Sequence, residues 1–308
     1  MNQWIINIVN SGIFFSKSVK IYLIDTDFVS SAKVINAHKD NIDEIISHIL
    51  QNKLVVIPYG KKERRVFALV GLANDGVVDR MKKIKSREAS QGVAISGIPD
   101  VAPFVAELHK TKALVNCARL LKTTPVKLVH RAFNIGAVGL ILIAQDWLPK
   151  GATMVNREGE ITVLIAGEAS KEEYDIFPVL YRKLLTQYYK VMVGTSANLH
   201  GEDTYHILQQ EEALSKLRNH IDVFVYDNLK IGRFPFFKHF TSTTIIDLTG
   251  SKPEVVRWGN IHPNRFKAIF QDLIFEPKKL KAYQGREKLY HVLLKNISSR
   301  VQKIFQSR

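Results

Sequence analysis

Two short polar spacings carry the most chemistry in this chain: Lys85-Ser-Arg87 and Ser196-Ala-Asn198. An ammonium and a guanidinium two residues apart, on chain that becomes extended past a helix end, project to one side. There they can grip neighbouring phosphate oxygens, the guanidinium as a fork and the ammonium as a point charge. Ser196 and Asn198 flank a small residue directly after a β-branched run. At a tight strand-to-helix turn a hydroxyl, a carboxamide and backbone N–H groups can converge on an anion. Each pair also has a structural reading, because cations favour a helix C-terminus by about 0.3 kcal/mol, and Ser-Ala-Asn is an ordinary turn. Thr243 and Thr244 after a bend, with Arg257 in a following strand, add hydroxyls and a guanidinium that could meet the same anion or an acyl group, or be ordinary strand residues. Asp247 suits a turn cap better than a base. His200 and Asp203 lie too close to Ser196 in sequence for triad geometry, and the ten histidines show no ligand spacing, so no protein-bound metal is predicted.

The elements that must position these residues follow from apolar periodicity. From Asn41 to Trp258 helical and extended signals alternate, the pattern of an α/β domain. Asn41 to Leu50 spaces its isoleucines for one helical face, and Lys53 to Pro58 reads as a strand. Val66 to Gly71 is another, and Asn74-Asp-Gly76 supplies turn chemistry before a helix through Val77 to Ile84, which leaves Lys85 and Arg87 at its end. Further strands are predicted at Gly92 to Ser96, Gly139 to Ala144, Ile161 to Ala166, Val191 to Gly194, Asp222 to Tyr226 and Thr243 to Leu248. Helices are predicted at Pro99 to Leu121, Lys171 to Tyr189 and Tyr205 to Arg218. The domain organisation is then an N-terminal extension (1–40), a nucleotide-binding α/β domain (41–262) and a basic helical tail (263–308). Past Pro277, 9 Lys or Arg face one acid, Glu287, and Leu289, Leu293, Leu294, Ile297, Val301 and Ile304 mark an apolar helical face.

Four segments in this order resemble the YrdC-type threonylcarbamoyl-AMP synthase family. Ile84 to Arg87 is similar to its Lys-x-Arg, and Trp147 to Thr153 to its Trp-Pro-Gly-Pro-Leu-Thr. Gly194 to Gly201 is similar to its Thr-Ser-Ala-Asn-x-Ser-Gly. Ser242 to Thr249 with Arg257-Trp-Gly259 is similar to its Ser-Thr-x-x-Asp-Leu-Thr and Arg-Pro-Gly. The resemblance implies a twisted, open mixed sheet with flanking helices and a concave basic cavity. It implies condensation of ATP, bicarbonate and L-threonine to threonylcarbamoyl-AMP, for threonylcarbamoyladenosine formation in tRNA. It assigns catalytic and ATP-binding roles to Lys85 and Arg87, ATP binding to Ser196 and Asn198, and further nucleotide contacts to Thr195, Thr243, Thr244 and Arg257. Mg²⁺ arriving with ATP would need only one or two oxygens from the protein.

The pattern breaks at the amino-acid end. Where the family reads Pro-Thr-(Glu/Asp)-Thr-Val-Tyr-Gly-Leu, this chain runs from Pro58 to Leu69 through Lys61, Lys62, Arg64 and Arg65, with both threonines gone. The family's Arg-Pro, Pro-Leu and following histidine become Arg87-Glu88, Gly92-Val93 and Ser96. Its Val-Arg-x-Pro strand has no counterpart in Ile161 to Ala166. Unpaired polar atoms of a buried substrate cost about 1–3 kcal/mol each, so a changed amino-acid pocket is expected. Two alternatives therefore stand: a related carbamoyl or acyl adenylate enzyme with another substrate, and a non-catalytic relative that binds tRNA or double-stranded RNA through residues 61–65, residues 80–87 and the tail.

Bulk properties bound these readings. The 44 Lys and Arg against 29 Asp and Glu leave +15, which calls for an anionic partner such as ATP, RNA or an anionic lipid surface. A single cysteine, Cys117, precludes an intramolecular disulfide and fits a reducing compartment. The first residues lack a basic n-region and a cleavage site, and no apolar run reaches the ~18 residues of a span. A cytoplasmic protein without stable membrane insertion is expected.

Overall fold

The computed structural model describes residues 32–59, 66–86, 92–167, 169, 176–197, 210–227, 243–259, 261–276 and 280. These include eleven strands of one mixed sheet: β1 (Lys33–Asn36), β2 (Val55–Tyr59), β3 (Val66–Leu72), β4 (Ala94–Gly97), β5 (Val138–Ile143), β6 (Thr153–Val155), β7 (Ile161–Gly167), β8 (Met192–Ser196), β9 (Val223–Tyr226), β10 (Thr244–Asp247) and β11 (Glu254–Arg257). Their order is β1-β9-β2-β3-β8-β4-β7-β5-β10-β11, with β6 paired to β7. Between them lie α1 (Ile42–Leu50), α2 (Asp75–Ile84), α3 (Ala102–Val105), α4 (Lys112–Leu120), α5 (Pro125–Ile135), α6 (Ile176–Tyr188) and α7 (Gln210–Leu217). The sheet also takes in Lys33–Asn36, N-terminal to the segment read as the nucleotide-binding domain. Beyond residue 262, Phe266 and Phe270 are fully buried and Ile274 bridges to Glu254.

Most predicted strands form where the β-branched runs lie, because those side chains fit a buried pleated surface. The single helix predicted over Pro99 to Leu121 is broken. A 3-10 turn at Pro99–Val101 leads into the short α3, after which Ala106 turns extended, with φ −134° and ψ 143°. Here the backbone joins the end of β5: Glu107 N–H donates to the Ile143 carbonyl and Gln145 N–H to that of Val105, both within hydrogen-bond range at 2.9 and 3.0 Å. The demand of β5 for partners outweighs local helix propensity. Helix α5 went unpredicted although its start is signalled by Thr124, whose hydroxyl accepts from Lys127 N–H, and by Pro125 at the first position.

In α1 the residues Ile42, Ile45, Ile46 and Ile49 form the buried face. His48 lies at the edge of that face, with Nδ1 3.1 Å from the Lys53 ammonium. An ammonium only donates, so Nδ1 accepts and the ring proton sits on Nε2. That atom is buried without a hydrogen-bond partner, its nearest carboxylate being Glu44 at 4.0 Å. Burial first, then Lys53 and Lys33, holds the ring below its usual 6.5. The unfolded ring takes up a proton near 6.5 and the folded one only at lower pH. The contribution of His48 is therefore complete above that value and is lost as pH falls from it toward the folded pKa. Urea midpoints are expected to drop more between pH 7 and pH 5 in the parent than in His48→Gln; equal drops would refute this.

Candidate phosphate-binding site

Helix α2 begins at Asn74, whose side chain accepts from Val77 N–H at 3.0 Å, and buries Val77, Val78 and Met81. Its last hydrogen bond runs from Lys85 N–H to the Met81 carbonyl. Ser86, at φ +44°, then takes the left-handed conformation that ends many helices. The Lys85 side chain turns inward, is only 6% exposed, and its Nζ donates to the Ser196 carbonyl at 3.1 Å. The first cation of one motif thus meets the first residue of the other across 111 positions of sequence. Arg87 and Asn198, the second members, lie outside the described residues, as do Lys61, Lys62, Arg64, Arg65, His200, Asp203 and most of the tail.

The register explains why this end of the sheet is open. Ala68 pairs with Ser196, Ala94 with Gly194, Ser96 with Ala166, and Ala166 with Gly139. Side chains alternate along a strand, so these small residues share one face. Gly194 is held close there, since a Cβ on it would lie 2.7 Å from Ser96 Cβ. Ala94, Ser96, Ala166 and Ser196 remain partly exposed. The opposite face carries Leu69, Ile95, Leu140 and Ile165, all buried, with Tyr181 of α6 against Gly97 and Phe133 of α5 against Gly167. One face is therefore core; the other, although Val70 and Met192 on it are also buried, keeps a partly exposed patch of small side chains at Ala94, Ser96, Ala166 and Ser196.

The segment Trp147 to Thr153 joins the same place. Gly151 lets α2 press on it directly, because a Cβ there would stand 2.4 Å from Val78 Cγ1 and 3.4 Å from Lys82 Nζ. Its carbonyl accepts from Val93 N–H at 3.0 Å. Gly92, which continues β4 to the level of Ser196, would with a Cβ meet Met154 Cγ at 2.8 Å. Trp147 is half exposed, with its indole N–H on the Phe104 carbonyl at 3.1 Å. From the sequence no residue of this segment was picked as a site residue. Gly92 read there as the start of a strand and Gly151 as part of a motif, since close approach by distant residues leaves no local signature.

The remaining candidates do not gather at Lys85. Through the pairings β8/β4, β4/β7, β7/β5 and β5/β10, strands β8 and β10 run parallel. Thr244 opens β10 and Ser196 closes β8, so they stand at opposite ends of the sheet's strands. Thr244 is fully buried; its hydroxyl donates to the Ile261 carbonyl at 2.6 Å and accepts from Gly259 N–H at 2.9 Å. Arg257 donates through Nε to the Thr243 carbonyl and through Nη2 to its hydroxyl. Alternation puts Thr195 on the face opposite Ser196. Asp247 caps a turn, accepting from the Thr249 N–H and hydroxyl at 2.9 and 2.7 Å. Thr244→Val keeps the shape and strands two buried backbone groups, at an expected loss of about 1–3 kcal/mol in urea unfolding. A loss below about 0.5 kcal/mol, the noise of surface changes, would show that the hydroxyl bridge is not structural.

Among the described residues no group of three or more His, Cys, Asp or Glu is placed to hold a metal ion, and no helix is long and apolar enough to cross a membrane.

Residues 178–259 match the Sua5, YciO and YrdC family model, described as telomere recombination. They span α6 to β11 and include Ser196, Asn198, Thr243 and Arg257. Among solved structures, a variant of P. abyssi Sua5 is similar at TM-score 0.57 and 18% identity, over 80% of this chain and 62% of that one. P. abyssi Sua5 complexed with L-threonine is similar at TM-score 0.54 and 18% identity, over 79% and 62%. E. coli YciO is similar at TM-score 0.54 and 16% identity, over 76% and 98%. This chain thus spans less than two thirds of the length of the Sua5 chains. No curated protein matches it in sequence. Residues 178–259 thus match the Sua5, YciO and YrdC family model, and the chain shares the fold of Sua5 and YciO.

Proposed function

We propose that the chain binds ATP where Lys85 meets Ser196 and uses it to form a carbamoyl-type adenylate, with threonylcarbamoyl-AMP as the leading product. The observation that carries this reading is a nearly buried ammonium on the carbonyl of a strand-ending serine, beside an open floor of small side chains. In the proposed reaction the amine of the amino acid and bicarbonate give a carbamate with loss of water. A carbamate oxygen then attacks the α-phosphorus, the bond from that phosphorus to the bridging oxygen breaks, and pyrophosphate leaves with the electron pair. Lys85, and Arg87 two residues on, would neutralise charge growing on the phosphate oxygens, while Ser196 and Asn198 hold the triphosphate. No side-chain nucleophile takes part.

The amino-acid end is less fixed. P. abyssi Sua5 has been solved with L-threonine, but here Ser96 stands where the family has histidine and the segment from Pro58 lacks both threonines. Pyrophosphate release should be measured with ATP and bicarbonate against a panel of amino acids, with mass spectrometry of the adenylate. Release that depends on both bicarbonate and one amino acid is expected. Failure of ATP to bind at all would refute the site, whereas ATP binding without turnover on any amino acid would refute the reaction.

A further inference from the structure

Away from Lys85, helix α4, the turn between β10 and β11 and the segment 271–272 line a half-open pocket of about 320 Å³. That lies within the range of small-ligand sites. Its floor is apolar: Ala113 and Cys117 are 0% and 2% exposed, Pro253 is buried, and Leu120 stands 59% exposed at the side. Two cations, Arg119 and Lys252, border it. Arg119 is pre-oriented, because its Nη2 donates to Asn116 Oδ1 at 2.5 Å and Asn116 Nδ2 donates to the Ser251 carbonyl at 3.2 Å. Among the described residues neither Arg119 nor Lys252 has a carboxylate within ion-pair distance. One acid, Asp272, shares the lining and leaves the pocket with one positive charge in excess.

We infer that this pocket binds a small amphipathic carboxylate, the apolar body on Leu120 and Pro253 and the carboxylate between Arg119 and Lys252. A planar guanidinium already held by an amide suits a carboxylate fork. The short apolar floor suits a ring or a short chain rather than a bare inorganic anion. This site is independent of the adenylation reading, since it lies at the β10–β11 side of the sheet and shares no residue with the Lys85 site.

Cys117 is the only cysteine of the chain and lies in the pocket wall, its thiol on the Gln271 carbonyl at 3.8 Å. It therefore reports on local opening of this wall alone. Phenylacetate is expected to slow Cys117 labelling by a neutral aromatic disulfide, about fivefold at roughly four times its Kd, because binding suppresses opening by 1 + [L]/Kd. Arg119→Gln or Lys252→Gln, both on the surface, should each raise the concentration needed by about tenfold, and phenethylamine should protect far less than phenylacetate. Labelling that phenylacetate leaves unchanged overturns the inference. So does protection that persists in the double variant or is matched by the amine, since apolar contact alone would then explain it.

Discussion

Lys85→Ala is expected to lower kcat/KM for pyrophosphate release by about 100- to 1000-fold, the loss typical when one preorganised electrostatic donor is removed from a reacting centre. The side chain is nearly buried and anchored on Ser196, so neither water nor a surface lysine can replace its charge at that point. Lys85→Arg keeps the charge but not the point geometry, and should recover only part of the loss. Lys85→Met retains most of the apolar stem and separates packing from charge. If Lys85→Met matches the parent within about twofold, a difference worth only ~0.4 kcal/mol, the ammonium has no part in the reaction and the assignment of this site falls with it.

Gly167→Ala should be among the most damaging single changes in the described structure. Gly167 faces Gly97 across β7 and β4, and a Cβ on it would stand 1.7 Å from the Gly97 carbonyl oxygen and 3.3 Å from Phe133. The obstacle is backbone held in the centre of the sheet, not the end of a flexible side chain, so relief requires the two strands to part. Overpacking a core costs about 1–3 kcal/mol even where side chains can shift; here about 3 kcal/mol or more is expected, enough to threaten folding of a marginally stable chain. Gly159→Ala is the contrast. Gly159 has φ +79° with nothing within 4 Å of the added carbon, so only backbone strain of about 1 kcal/mol is expected. Urea unfolding of the two variants should differ by about 2 kcal/mol or more. Near-equal stabilities would mean that the close approach of β4 and β7 is not a feature of the protein.

Much of the fold was legible in the residues because the signals are local. Runs such as Val55 to Ile57 and Ile161 to Ile165 are β-branched and became central strands. Asn74-Asp-Gly announced the start of α2, and the isoleucines of α1 announced its buried face. The two spacings Lys85-x-Arg87 and Ser196-x-Asn198 could also be picked out, since each needs only neighbours in sequence. Helix boundaries were harder: α5 was missed, and the stretch from Pro99 to Leu121 was broken by a partner strand that no periodicity within it reveals.

The amino-acid sequence by itself marked most of the strands and the two short polar pairs whose residue types suit a phosphate. Only the tertiary structure decided that β8 lies between β3 and β4, and hence that Lys85 reaches the Ser196 carbonyl. It likewise decided that Arg257 bonds to Thr243 and Thr244 to nearby backbone at the far end of the strands, although each could also have met an anion. The physical reason is that residue type and spacing act over a few positions, through torsional preference and side-chain direction. Strand order and register come from the summed burial and backbone pairing of the whole sheet, a sum in which no single segment carries its own address.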